Sequence, residues 1–483
     1  MASIDDRLSA LPDELLSHIL SFLPLKTSIS TRILAARWRF LLAYALNIQF
    51  TDRRSSSMDT ISDHSEFEDV LRKILSQCEA HRHSVITLRL HRGFFWEHKL
   101  EAHLERAFAC KLKTLDLRLL CDFESLPPCV LTSDTLIDLK ITYFNIKLKN
   151  VTVCLPALKR LHIGSANLKG SLENLISGCP VLEEFTYNGC NEHVSHCISS
   201  STMKRLVIDC HFPYKVKIDT PALDYLLLPY SIPNNFSVGS MDALIEAHID
   251  VYHSDDDLYS RSLVEFVSRL STVKEMSLCA WDRGWKVPHF TPDYLNIKFP
   301  NLAKLTVKGE WQFISNFVEK ADMLQVLNVI HYQEPEREME PVQLPMANSI
   351  MKLHNLIKLD LQVDWWFLPY FLEKADKLKV LIIRNNVYHK RKRWLMAPLQ
   401  VPNCLSSHLK IVQIHELDGT DENEFDMVRY FLKNAKVLER MELHCYEGME
   451  RHCIESIGRI SSFDRGSEKC EIVFDECLES DYY

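Results

Sequence analysis

One short pattern recurs along most of the chain: an apolar residue, two variable residues, a second apolar residue, one variable residue, a third apolar residue. It runs through Val85-Leu88-Leu90, Leu112-Leu115-Leu117, Leu136-Leu139-Ile141, Leu158-Leu161-Ile163 and Leu182-Phe185-Tyr187. It continues through Met203-Leu206-Ile208, Leu223-Leu226-Leu228, Val273-Met276-Leu278, Leu302-Leu305-Val307 and Leu324-Leu327-Val329. It closes with Leu356-Leu359-Leu361, Leu378-Leu381-Ile383, Leu409-Val412-Ile414 and Leu438-Met441-Leu443, and a weaker copy sits at Leu244-Ala247-Ile249. The last three residues of each copy alternate, which predicts a short strand with one buried face. Successive copies start about 20 to 32 residues apart, the spacing of stacked repeat units that bury their apolar faces against one another.

The connecting segments carry a second repeat. Phe313-Ile314, Phe317-Val318 and Leu324 align with Phe367-Leu368, Phe371-Leu372 and Leu378, and again with Met427-Val428, Phe431-Leu432 and Leu438. Apolar residues at i, i+1, i+4 and i+5 predict a helix with an inward stripe leading into each strand. Ser171 followed by Leu175, Ile176, Gly178 and Pro180 predicts a capped short helix with a Gly-then-Pro stop. The expected class is therefore α/β: a curved leucine-rich-repeat solenoid with a concave parallel sheet, and helices or irregular segments outside. The aromatic residues of the helices read as solenoid core, not as a ligand box.

The first fifty residues differ. Pro12, Asp13 and Glu14 suit the start of a helix, and Leu15, Leu16, Ile19, Leu20 and Leu23 recur at helical spacing until Pro24. A second apolar set follows in Ile29, Ile33, Leu34, Trp38, Leu41 and Leu42. These short helices either pack on the rest of the chain or present a partner-binding surface. The expected divisions are a helical segment at 5–50, a polar linker at 51–66, the solenoid at 67–400 with a helical cap around Phe67–Leu75, a continuation of the repeats at 401–445, and a cap or tail at 446–483.

Composition narrows the function classes. The net charge of −9 offers no global case for nucleic acid or an anionic membrane. No apolar run is long enough for a membrane helix and the amino terminus lacks signal-peptide character, so the fifteen cysteines read as reduced core thiols and the compartment as cytoplasm and/or nucleus. The twelve glycines form no phosphate loop, and no Cys-x-x-Cys, His-Glu-x-x-His or Gly-x-Ser-x-Gly motif occurs. His81, His83, His91, His98 and His103 fit no metal-ligand spacing and read as surface residues. The basic run His389–Trp394 suits an acidic partner or a nuclear address but reads first as a solvated loop between repeats, as do the acidic groups at 255–257 and 334–340. No catalytic residue, cofactor or metal is expected.

The order Leu11-Pro12-Asp13-Glu14-Leu15-Leu16, then Ile19-Leu20-Ser21-Phe22-Leu23-Pro24, then Arg37-Trp38-Arg39 resembles the F-box, the adaptor-binding motif of cullin-type ubiquitin ligases. The chain has Ala35-Ala36 where the family commonly has Ser-Lys, and Leu42 where a second Trp often sits. Val401-Pro402, Cys404-Leu405, Leu409–Ile414, Phe425, Phe431–Ala435 and Leu438 resemble the FBD region of plant F-box proteins, and Cys154–Leu161 and Gly178–Leu182 are similar to their repeat phrases. The resemblance implies a substrate-recognition subunit of an SCF-type (SKP1-cullin-F-box) E3 ubiquitin ligase that performs no chemistry itself. Leu11, Pro12, Leu15, Leu16, Ile19, Leu20, Leu23 and Pro24 would face a SKP1-like adaptor and, through it, cullin. The other readings are a small-molecule-dependent receptor F-box protein and a repeat scaffold outside any ligase. A target protein is expected on the strand residues that project from the concave face, one between the last two apolar positions of each repeat: Arg89, Asp116, Lys140, His162, Thr186, Ser277, Thr306, Asn328, Asp360, Gln413 and Glu442. Neither nucleic acid nor membrane is an expected partner.

Overall fold

Every apolar triad ends in a strand, and every residue of every triad is buried, including the weaker copy Leu244-Ala247-Ile249. The computed structural model describes residues 11–21, 46–51, 71–76, 78–80, 85–92, 100–119, 125–149, 151–191, 195–210, 216–229, 236–252, 265–281, 297–309, 311–331, 353–384, 400–417, 419–445 and 450–475. They fall in two compact units, Met1–Pro229 with Pro233–Ala243, and Tyr230–Ile232 with Leu244–Tyr483.

The first unit holds β1 (Leu46–Thr51), β2 (Val85–Arg92), β3 (Thr114–Leu119), β4 (Asp138–Thr142), β5 (Asn145–Lys147), β6 (Arg160–Lys169), β7 (Glu184–Asn191), β8 (His196–Ser199), β9 (Arg205–Asp209), β10 (Val216–Asp219), β11 (Tyr225–Leu228) and β12 (Phe236–Val238). Its main sheet is parallel. The central apolar residues stand in one register line: Ile48, Leu88, Leu115, Leu139, Leu161, Phe185, Leu206 and Leu226. Because the side-chain period of a strand is two, this alignment puts every third-position residue on the same buried face. Each fully buried Leu is worth about 1.5–3 kcal/mol. At each strand entrance the backbone repeats one bond: the Asp138 N–H donates to the Lys113 carbonyl at 3.1 Å, Arg160 to Ile137 at 3.1 Å and Glu184 to Lys159 at 3.0 Å.

The second unit repeats the plan with β13 (Glu246–Tyr252), β14 (Glu275–Trp281), β15 (Lys304–Gly309), β16 (Val326–His331), β17 (Lys358–Gln362), β18 (Val380–Arg384), β19 (Ile411–Leu417), β20 (Arg440–Cys445) and β21 (Glu471–Asp475). Each is parallel to the next, with Ala247, Met276, Leu305, Leu327, Leu359, Leu381, Val412, Met441 and Ile472 in register.

Among the described residues the helices include α1 (Asp13–Ser21), α2 (Leu100–Ala109), α3 (Leu172–Ser177), α4 (Trp311–Val318), α5 (Leu368–Lys374), α6 (Asn403–Ser407), α7 (Glu422–Asn434) and α8 (Glu450–Ser461). The apolar stripes of α4, α5 and α7 and the alanines Ala321, Ala375 and Ala435 that follow them are all buried. In α4 the rings of Phe313 and Phe317 lie 5.0 Å apart, and Trp311 meets Phe367 at 4.0 Å.

Four details depart from the sequence reading. The ladder starts at β1, within the span assigned to the amino-terminal helices and the linker, because Leu46, Ile48 and Phe50 alternate directly after a helical apolar set. It ends at β21, inside the segment read as a cap. Strands β8, β10 and β12 form a separate three-stranded parallel ladder, whose alternation is too short to stand out. Cys445 is disulfide-bonded, whereas ten other described cysteines are free thiols.

Candidate functional site

Two surfaces carry candidate residues. The first is α1. The Pro12 carbonyl accepts the N–H groups of Leu15 and Leu16, each at 3.1 Å, and so closes the first turn. Leu16 and Leu20, four apart, are buried within the chain. Leu15 and Ile19, on the adjoining stripe, are 51% and 37% exposed, Pro12 is exposed and Leu11 half-buried. An apolar stripe left in water at helical spacing is the form a helix takes when it docks on a second molecule. Leu23, Pro24, Ala35, Ala36 and Leu42 lie outside the described residues.

The second surface is the polar face of each sheet. None of the eleven strand residues named above is buried. In the first unit Gln49, Arg89, Asp116, Lys140, His162, Thr186, Val207 and Leu227 form one cross-strand row. In the second the row is His248, Ser277, Thr306, Asn328, Asp360, Ile382, Gln413, Glu442 and Val473. Neighbours in a parallel sheet are about 4.8 Å apart, so each row is a continuous strip of side chains. Ile382 differs from its neighbours in being buried.

A second row, two residues further along each strand, was not apparent from the triads. It contains His91, Arg118, Thr142 and Gly164 in register, and in the second unit Arg384 beside His415. Its signal is weak, since the strands run one residue past the third apolar position and nothing in the triad marks that extension.

The two faces differ in how their charges are used. In the second unit Arg384 grips Asp360 through two bonds, Nε to Oδ1 at 3.0 Å and Nη2 to Oδ2 at 3.1 Å. Glu442 receives Gln413 Nε2 at 2.5 Å and Arg440 Nε at 2.6 Å, and Asn328 donates to Thr306 Oγ1 at 3.1 Å. His415 and His444 stack at 4.3 Å with their rings 4° from parallel. Burial first, then the charges of His444 and Arg384, push His415 down to about 4. In the first unit Asp116 lies 2.9 Å from His91 Nε2, while Arg89, Arg118 and Lys140 have no ion-pair partner among the described residues. Burial, followed by Lys140, holds His162 below the ordinary histidine range.

The histidines read from sequence as surface groups separate. His103 is 5% exposed on the inward face of α2, between Leu100 and Leu104, which corrects the reading for that residue. His91 is on the sheet face. His81, His83 and His98, the basic run 389–394 and the acidic groups at 255–257 and 334–340 lie outside the described residues. Among the described residues no three His, Cys, Asp or Glu side chains converge as a metal site, and no helix is long and apolar enough to cross a membrane.

Comparison with known proteins supplies three family matches. Residues 8–44 match the F-box domain, residues 87–245 the leucine-rich repeats of an FBD-associated F-box protein, and residues 397–443 the FBD region. The FBD match spans α6, β19 and α7 and most of β20, within the same ladder as the preceding repeats. An F-box/LRR-repeat protein of Arabidopsis thaliana is 26% identical over 501 residues, which covers 97% of this chain and 88% of the relative. An F-box/FBD/LRR-repeat protein of the same plant is 26% identical over 91% of this chain and 92% of its own length. A further F-box/LRR-repeat protein is 24% identical over 97% of this chain and 99% of its length.

Proposed function

The chain belongs to the plant F-box/LRR-repeat family with an FBD region, and on that footing we propose that it is the substrate-recognition subunit of an SCF-type ubiquitin ligase. The observation that carries the reading is α1, an F-box-matched helix that buries Leu16 and Leu20 and leaves Leu15 and Ile19 to solvent. In this reading Leu11, Pro12, Leu15 and Ile19 make the outward contact with a SKP1-like adaptor, Leu16 and Leu20 hold the helix to its own chain, and Leu23 and Pro24 close the segment. Such interfaces bury about 1,200–2,000 Å² and rest on a few apolar anchors.

The repeats take the target on the polar face of the sheet. Ubiquitin transfer is performed by the E2 enzyme that the cullin brings. The contribution of this chain is proximity: tethering raises the local concentration of target lysines near the E2 thioester. No side chain here need donate or accept a proton.

The test follows ubiquitin on captured proteins. Proteins that co-purify with the full chain under proteasome inhibition are expected to carry ubiquitin chains. The same proteins captured by the Leu15→Asp/Ile19→Asp variant should still bind and carry far less ubiquitin. Equal ubiquitination on both would contradict the reading.

A further inference from the structure

We propose that the polar face of the first unit's sheet binds an acidic peptide segment, and that Arg89, Arg118 and Lys140 receive its Asp or Glu carboxylates. The proposal rests on the reading of the sheet face as the target surface and names the chemistry that this face recognises.

The argument begins with register. Arg89, Asp116 and Lys140 occupy matched positions on β2, β3 and β4. Strand spacing therefore sets Arg89 and Lys140 about 10 Å apart across the sheet, with Arg118 about 7 Å further along β3. All three cations are exposed. The one carboxylate within their triangle among the described residues, Asp116, lies against His91 at 2.9 Å. Among the described residues Arg118 has only the Tyr143 ring, with its guanidinium 6.0 Å from the centroid. The face thus carries surplus positive charge in a chain whose net charge is −9. The second unit shows the alternative: there Arg384 is held by Asp360, Arg440 by Glu442, Lys304 by Glu275 and Lys410 by Glu439.

Gly164, aligned with Thr142 and Arg118, is buried, and a Cβ there would stand 3.1 Å from His162 Nε2 and 3.4 Å from Thr142 Oγ1. The face is closed at that position, so an acidic side chain meets it at the exposed ends of Arg89, Arg118 and Lys140. Extended acidic peptides suit a face of this kind, because alternate side chains fall on one side about 7 Å apart and the long Arg and Lys side chains span the remaining difference to cations about 10 Å apart. Arg is the better partner for a planar carboxylate, through paired N–H donors.

The probe is a fluorescein-labelled decapeptide of alternating Glu and Ser, titrated with the purified full chain and read by fluorescence anisotropy. Matched peptides carry Gln or phosphoserine in place of Glu. The glutamate peptide is expected to bind at least tenfold more tightly than the glutamine peptide and to weaken as salt rises. Arg118→Glu with Lys140→Glu should abolish that preference, and the milder Arg118→Gln with Lys140→Gln should reduce it at an unchanged melting temperature. Lys304→Glu with Lys410→Glu, on the second unit, should leave it intact. Equal binding of the glutamate and glutamine peptides, a preference that survives both substitutions at 118 and 140, or binding of the phosphoserine peptide alone would overturn the proposal. If the peptide fails while Ser277→Arg with Asn328→Arg still reduces target capture, the acidic-peptide assignment falls and the sheet-face reading stands. If neither affects capture, both fall.

Discussion

A buried histidine holds the start of α3. His196 is 3% exposed, and its Nδ1 accepts the Leu172 N–H at 3.3 Å, one of the backbone donors that a helix start leaves unmatched. Burial lowers its pKa from 6.5 to about 4. The sign of the consequence is fixed. Above about pH 6.5 the ring is neutral in both folded and unfolded chains and contributes no pH dependence. Between 6.5 and 4 the unfolded chain takes up a proton that the folded one refuses, so stability falls as pH falls, by about 1.4 kcal/mol per unit of pH. His196→Asn retains an acceptor near the Nδ1 position and does not titrate. Its urea midpoint should drop less than that of the wild type between pH 7 and pH 5, and equal drops would remove His196 from the acid response. At the same scale, Asp360 shows why charge alone misleads. Sequence offers it as a free acidic contact, yet Arg384 occupies both of its oxygens, so its reversal would damage the fold's own ion pair as well as any contact with a partner. Lys140 has no such partner among the described residues and is the cleaner probe.

At the scale of elements, Gly178 is the sharpest example of a residue chosen for space. Sequence suggests a helix-ending glycine, and its φ is −76°, which any residue adopts. The constraint is contact: an added Cβ would lie 2.5 Å from the Val153 carbonyl oxygen and 2.6 Å from Val153 Cγ1. Gly178→Ala should therefore destabilise by about 1–3 kcal/mol through overpacking, whereas Ser171→Ala, which removes the hydroxyl accepting the Glu173 N–H at 3.2 Å, should cost about 0.5–2 kcal/mol. Chemical denaturation of both variants checks the order. Triads and helix stripes were legible in sequence because burial on one face leaves a period that sequence retains, and Phe371 and Phe431 fell where the period placed them. Strand β1 was not, since its alternation abuts a helical one, nor was the β8–β10–β12 ladder, with one or two inward residues per strand. On the sheet face the position between the last two apolar residues could be located in each repeat. Which of those residues are engaged, as Asp360 is by Arg384, depends on neighbours about 24 residues away.

The molecule as a whole divides its work between two kinds of surface. A short amino-terminal helix keeps part of its apolar stripe exposed, and long ladders of parallel strands present polar rows of fixed register. Each repeat is buried by its neighbours, so changes on α1 should leave the ladders standing and separate adaptor binding from folding. The most direct test of the receptor reading is the affinity of the full chain for a plant SKP1-like adaptor by calorimetry, measured for the wild type and for Leu15→Asp with Ile19→Asp. The reading predicts a one-to-one complex that weakens at least a hundredfold in the double variant, about 2.7 kcal/mol, with the melting temperature unchanged. A wild-type chain that forms no complex, or a variant that binds as tightly as the wild type, would contradict it.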